Sequence, residues 1–225
     1  MLRLRTFMTL AAALLLLAGT SYSVAGSGRW GAGGSGGISP LSEGEIAGLV
    51  YMWEEEKLAR DSYILLDEKW NLMIFASISM SEQRHMNAIK LLIDKYALGD
   101  RIDENLPVGS LVDPILQTLF GDLMDWGMTS MMDSLYVGGA IEEVDILDLE
   151  EMIIGTDSDH TDLIATYENL LCGSRNHLRA FVRQIEMNGE AYVPFKMSEE
   201  RVAEIITSPM KQRCGAGNRR VKGKR

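Results

Sequence analysis

Ser81-Glu82-Gln83-Arg84-His85-Met86 is the stretch from which the rest of the chain is read. Residues three apart in a helix project from one face about a turn apart, so Glu82 and His85 point the same way. Ile78, Ile89 and Leu92 continue that face and mark it as the buried stripe. A carboxylate and an imidazole on a buried stripe are costly unless something compensates them, and a metal ion is one such partner. A Glu-x-x-His pair alone is weak evidence, because most are solvated or hydrogen-bonded helix residues. Its weight depends on what the other segments offer.

Helical periodicity runs outward from this stretch in both directions, and alternating strand-like runs are missing. An all-α fold is predicted. The helix holding Glu82 and His85 is expected over residues 72–96. Before it, Ser42-x-x-Glu45 forms a capping box that starts a helix reaching about Lys69. There the apolar row Ile46, Leu49, Trp53, Tyr63, Leu66, Trp70 is interrupted by Glu56, which should face the core. Beyond the second helix comes a connection with one short helix, entered at Asp113-Pro114 and closed at Gly127.

Ser130 begins a third long helix that ends near Ile154. Its row Leu135, Gly138, Ile146, Leu149, Ile153 contains Glu142, the expected inward acid, with Glu143 as the alternative. A fourth long helix, capped by Ser158 or Asp159 and reaching about Asn188, aligns Leu163, Leu170, Ser174, His177, Phe181 and Ile185. A short C-terminal helix, capped by Ser198 and ending near Thr207, packs outside. Short loops make helices one and two antiparallel, and likewise three and four, while the long link lets the chain cross the bundle's length. This is the layout of a ferritin-like four-helix bundle with a long crossover between helices 2 and 3.

The two halves of the bundle repeat one another. Glu82-Gln83-Arg84-His85-Met86-Asn87-Ala88 aligns with Ser174-Arg175-Asn176-His177-Leu178-Arg179-Ala180, and Glu55-Glu56 corresponds to Glu142-Glu143. Folding then directs Glu56, Glu82, His85, Glu142 and His177 towards one mid-core point. The set resembles the ferritin-like carboxylate-bridged di-iron proteins, which take one Glu from each of two helices and a Glu-x-x-His from each of the others. Glu56 to Tyr63 looks like the first metal-binding helix of rubrerythrins, with its Glu-x-x-Ala-Arg-x-x-Tyr pattern. Trp53 to Tyr63, Ser81 to Met86, Ile141 to Leu149, Gly173 to Phe181 and Tyr192-Val193-Pro194 are together similar to a bacterial ferritin-like family of uncharacterised function. That resemblance implies iron binding through better understood relatives.

Ser174 stands where the di-iron pattern has glutamate, and a hydroxyl is a poor iron ligand. Asp145, one turn after Glu142, is the candidate to supply the missing carboxylate. Three carboxylates and two imidazoles suit Fe, with Mn or Zn as alternatives. The resemblance implies a reaction with dioxygen or peroxide, of oxidase, ferroxidase or peroxidase type. The other reading is a non-catalytic helical module with a structural or vestigial metal site. Tyr63 is either a hydrogen-bond donor to a ligand or a plain core tyrosine. His85 and His177 also have a plain reading as core histidines bonded to acids, and His160, the third of three, is expected to be solvated. Met124, Met128, Met131 and Met132 would suit copper(I), but methionine at helical spacing is usually core filler.

The ends of the chain read differently from the middle. Arg3 and Arg5, the apolar run Phe7 to Ala18 and Ser23-Val24-Ala25 make residues 1–25 a signal peptide and the mature protein an exported one, periplasmic or extracellular. The run is too short for a good membrane span. Residues 26–40 form a glycine-rich linker, 41–210 the bundle, and 211–225 a basic tail with seven bases and no acid. Of 225 residues, 46% are apolar, enough for a core. All 32 acids lie between the linker and the tail, so the body is strongly negative and unsuited to nucleic acid. Homo-oligomers are compatible with this surface. Cys172 and Cys214 either pair or leave a buried thiol at Cys172, since an oxidising compartment permits a bond.

Overall fold

The computed structural model describes residues 39–209 and Cys214. The expected signal peptide, most of the linker and all of the basic tail but Cys214 lie outside these residues. Six α-helices and one 3-10 turn follow in order, with no strand among the described residues: α1 (Glu43–Trp70), α2 (Met73–Lys95), the turn (Gly99–Arg101), α3 (Pro114–Gly127), α4 (Met131–Gly155), α5 (Thr161–Met187) and α6 (Glu199–Thr207).

The capping box at the start of α1 is formed: the Ser42 hydroxyl accepts from the Glu45 N–H at 3.2 Å, and the Glu45 side chain accepts from the Ser42 N–H at 2.8 Å. α1 ends at Asn71, whose left-handed backbone (φ 51°) turns the chain straight into α2. Asp113 caps α3 ahead of Pro114, Ser130 caps α4 and Ser198 caps α6. The start of α5 differs from expectation. His160, not Ser158 or Asp159, occupies its N-cap position.

α1 packs on α2 and α4 on α5, with α1 also against α4 and α2 against α5. α3 lies across α1 and α4, and α6 against α5. Buried apolar residues form two clusters. One gathers Leu49, Met52, Trp53, Ile89, Ile146, Leu149, Leu163 and Leu170; the other gathers Leu58, Leu66, Phe75, Ile78, Leu116, Leu135, Phe181 and Ile185. Burying each such side chain contributes roughly 1.5–3 kcal/mol, which offsets the cost of the polar layer between them. That layer holds Glu56, Glu82, Glu142 and Ser174, each near the midpoint of its helix and at most 2% exposed.

α1 is buried on a second side by the α2–α3 connection. Glu54 accepts from the Val112 and Asp113 N–H groups at 2.9 and 2.7 Å. Lys57, 1% exposed, donates to Asp61 and to the Pro107 carbonyl, and Asp61 accepts from the Gly109 N–H. These charges are buried but fully partnered, which is the condition for keeping them there. None of the described helices is long and apolar enough to cross a membrane.

His160 corrects the expectation of a solvated side chain. It is buried, and its Nδ1 lies 2.5 Å from Glu45 Oε1. Glu45 also accepts from the Asp157 N–H, so one carboxylate ties the start of α1 to the α4–α5 turn. Cys172 and Cys214 are joined by a disulfide, their Cα atoms 5.6 Å apart, so Cys172 is not a free thiol. The methionines near α3 pack as apolar filler: Met124 is buried in the second cluster, with Met128 and Met132 against it.

Candidate metal centre

Each of the four long helices delivers one or two polar groups to the layer between the clusters. α2 supplies Glu82 and His85 from successive turns. His85 Nδ1 lies 2.7 Å from Glu82 Oε2 and 3.2 Å from Glu56 Oε2 on α1. On the other side, His177 Nδ1 from α5 lies 2.8 Å from Glu82 Oε1 and 3.4 Å from Glu142 Oε2 on α4. The order across the molecule is Glu56, His85, Glu82, His177, Glu142, with Glu82 giving one oxygen to each imidazole. The two rings face each other at 5.5 Å and 25°.

All five residues that the sequence directs to one point are therefore together, as two triads that share Glu82: Glu56–Glu82–His85 and Glu82–Glu142–His177. In each, one donor atom per residue lies within 4.8 Å of the other two. Donors held about 2.0–2.2 Å from one cation stand roughly 3–3.5 Å from one another. The N···O distances here, 2.7–3.4 Å, fall around that spacing. His177 Nδ1 and Glu82 Oε1 are close yet not aligned as a hydrogen bond, and Glu56 Oε1 is buried without a partner. Such atoms are costly in a core unless a cation or proton joins them. The residues present thus fit one or two hard or borderline divalent ions.

Electrostatics follow the same layout. Burial would raise the Glu82 carboxyl, but the charges of His177 and His85 outweigh it and hold it far below the usual carboxylate range. Burial lifts Glu56 to about 7, with His85 pulling the other way. Glu142 is likewise raised by burial. Burial disfavours the imidazolium at both histidines, yet the neighbouring carboxylates win. His177 is raised to about 10 and His85 well above its ordinary value.

Further residues brace these five. Tyr63 donates to Glu142 Oε1 at 2.5 Å, so it is a hydrogen-bond donor within the layer as well as a core tyrosine. Gly173 on α5 faces the His85 ring; a Cβ there would stand 2.6 Å from Nε2. Sequence reasoning passed over this glycine, because nothing local shows that the His85 ring packs against it.

Ser174 is fully buried and donates to the Leu170 carbonyl at 2.9 Å, within its own helix. Asp145 lies in the same layer, 5% exposed, with Oδ1 unpartnered. Burial and the charges of Glu56 and Glu142 push its carboxyl well up, while the Ser174 hydroxyl pulls it down. Asp145 thus borders both Ser174 and the outer acids, but it belongs to neither triad.

Glu143 does not point to the site. It is fully buried on the opposite side of α4, accepting from Tyr192 Oη and from the N–H groups of Phe195, Lys196 and Met197. The reason is positional: adjacent helix residues diverge by about 100°, so with Glu142 inward Glu143 meets the segment after α5.

Comparison with known proteins places this arrangement in a family. The model described as "Uncharacterized protein domain (DUF2202)" matches residues 45–209. The chain belongs to that family. The DUF2202 match spans α1 to α6 and contains all eight candidate residues. Over 169 residues the chain is 47% identical to the uncharacterized protein MJ0754 of Methanocaldococcus jannaschii, covering 75% of this chain and 90% of that protein. It is also similar to the crystal structure of hypothetical protein MJ0754 from Methanococcus jannaschii, with a TM-score of 0.73 at 45% identity, over 79% of this chain and 100% of that one.

Proposed function

We propose that this DUF2202 domain is a ferritin-like four-helix bundle that binds iron, two ions in its full state, through Glu56, Glu82, His85, Glu142 and His177. The observation that carries the reading is Glu82, one carboxylate shared between two imidazole–carboxylate triads. A shared carboxylate is what a pair of neighbouring cations requires. Fe is the preferred ion for this set of oxygens and imidazoles, with Mn or Zn as alternatives.

Iron held there would supply electrons to dioxygen or peroxide, giving oxidase, ferroxidase or peroxidase chemistry. The chain's own contribution is placement. Glu82 stands between the two imidazoles, Tyr63 orients Glu142, and the two apolar clusters flank the layer, leaving each imidazole 12% exposed. Export is part of the proposal, supported by the basic, apolar and small-residue pattern of residues 1–25 and by the Cys172–Cys214 disulfide. Ser174, its hydroxyl committed to Leu170, favours a second reading: a structural or vestigial site without catalysis.

Anaerobic iron titration separates these. The wild type should take up about two irons per chain. Glu82→Ala should lose both, and Glu142→Ala should lose the one on the His177 side, with helicity unchanged in each. Binding that never exceeds one iron supports the structural reading. No binding at all to the wild type overturns the iron reading and leaves a vestigial site.

A further inference from the structure

α5 carries central residues on one side and a set of ties to the C-terminal end of the chain on the other. Gly173 meets the His85 ring, and His177, one turn on, meets Glu82. Cys172, Asn176 and Arg179 follow an adjoining edge, since neighbouring helix residues diverge by about 100°. Arg179 donates to the Ile205 carbonyl of α6 at 2.9 Å, to Ser208 Oγ just beyond α6 at 2.6 Å and to Asn176 Oδ1 at 2.8 Å. Asn176 in turn donates to Cys214 Sγ at 3.5 Å, and Cys214 is bonded to Cys172.

The disulfide closes a loop of sequence separation 42, which holds the second half of α5, the 192–197 segment and α6. A covalent tie of this kind keeps the ends of the loop together even when its other contacts open. Its inner anchor, Cys172, directly precedes Gly173, where a Cβ would stand 2.6 Å from His85 Nε2. With no side chain between the α5 backbone and the ring, a shift of α5 reaches His85 undamped. The two sulfurs are unequal: Cys214 is exposed and Cys172 half-buried. An external thiolate therefore reaches Cys214 first.

We propose that Cys172–Cys214 is a thiol–disulfide exchange site for a dithiol reductant, and that its oxidised form clamps α5 against His85 and so regulates metal retention at the centre. A thiolate of the dithiol bonds to Cys214 Sγ, the Cys172–Cys214 bond breaks, and Cys172 leaves as a thiolate that takes up a proton. The second sulfur of the dithiol then displaces Cys214 and closes the dithiol's own disulfide. Two electrons and two protons pass to the cysteine pair, and the dithiol is oxidised. The oxidised chain holds its ion, and the reduced chain releases it more readily. This inference rests on the central reading for its effect on metal, but not for the exchange itself or for the loosening of α5.

Dithiothreitol is the probe, on the full chain, with circular dichroism confirming that the chain stays folded. Free thiols should rise from none to two per chain. Amide hydrogen exchange over residues 173–180 of the metal-free protein should speed up about tenfold. Iron loss from the loaded protein to a chelator should speed up about tenfold as well, the scale of losing support behind a ligand. Cys214→Ser should show both changes without reductant. Cys172→Ser/Cys214→Ser should show them too and respond no further to dithiothreitol, which separates the clamp from any action of the reagent on iron. If the disulfide of the folded chain resists dithiothreitol, or the loaded protein loses iron at one rate with and without the bond, the proposal is overturned. If the wild type takes up no iron while exchange over 173–180 still responds to reduction, the central reading fails and the redox clamp on α5 stands.

Discussion

At the scale of the residue, the centre turns on Glu82. Each of its oxygens lies within 2.8 Å of one imidazole, so it stands between the two halves of the site. The smallest contributor is Gly173. His85 lies flat enough against α5 that a Cβ at this position would stand 2.6 and 2.8 Å from its ring. Gly173→Ala should therefore rotate or displace His85 and weaken iron binding on the Glu56 side at least tenfold. The helix itself should gain slightly from the exchange. Titration against the wild type, with circular dichroism alongside, checks both halves; unchanged affinity would show that the ring has room to move. The five central residues were legible because each breaks an apolar row of period 3.6, and such breaks are informative. Gly173 was not, since what matters there is the His85 ring across a helix pair. His160 was misread for the same reason: nothing local shows that Glu45, 115 residues away, meets it.

At the scale of the element, α4 separates its acids by direction. Glu142 points to the triads, Asp145 and Asp148 run along the α1 flank, and Glu143 faces the segment that follows α5. A helix with polar groups on several faces reads as surface, yet residues 134–146 of α4 are buried except for Tyr136. Its other sides are covered by α3 and the 192–197 segment, and the close approach is possible because Gly138 receives the Phe181 ring and Gly139 the Tyr192 ring. Those covers were not legible, because their contacts are backbone N–H groups meeting carboxylates and carry no sequence signature. They do make a prediction. Glu143 accepts three backbone N–H bonds and one phenol, so Glu143→Gln should cost about 3 kcal/mol of stability, the scale of losing charge-assisted bonds to a buried group. Iron stoichiometry should stay the same. Denaturant unfolding and iron titration on one preparation test the pair of outcomes. A Glu143→Gln protein of normal stability that fails to bind iron would move Glu143 back to the centre.

At the scale of the whole molecule, the long helices and the long connection between α2 and α4 were legible, because period and caps are local properties. The short helix α6 and its Ser198 cap were legible too, but the disulfide and the packing of the 192–197 segment on α4 were not, since tertiary contacts set them. The buried acids bear on stability as a whole. Glu56 is raised to about 7 and His177 to about 10, each above its ordinary value of 4.5 or 6.5; Glu142, Asp145 and His85 are also raised. A raised folded pKa means that stabilisation is complete below the unfolded value and is lost as pH climbs through the folded one. Glu82 works in the opposite sense, stabilising above 4.5 and losing that contribution only on strong acidification. The metal-free protein should therefore be most stable near pH 5 and lose several degrees of Tm by pH 8. Metal reverses the trend, because its ligands must shed their protons to bind. Mn(II) should raise Tm more at pH 8 than at pH 5.5, through its preference for the folded chain. Thermal unfolding in chelator and in excess Mn(II) across that range supplies both curves. A metal-free Tm that rises from pH 5.5 to pH 8 would mean the carboxylates are compensated by the fold alone, and the case for a cation between them would lose its physical basis.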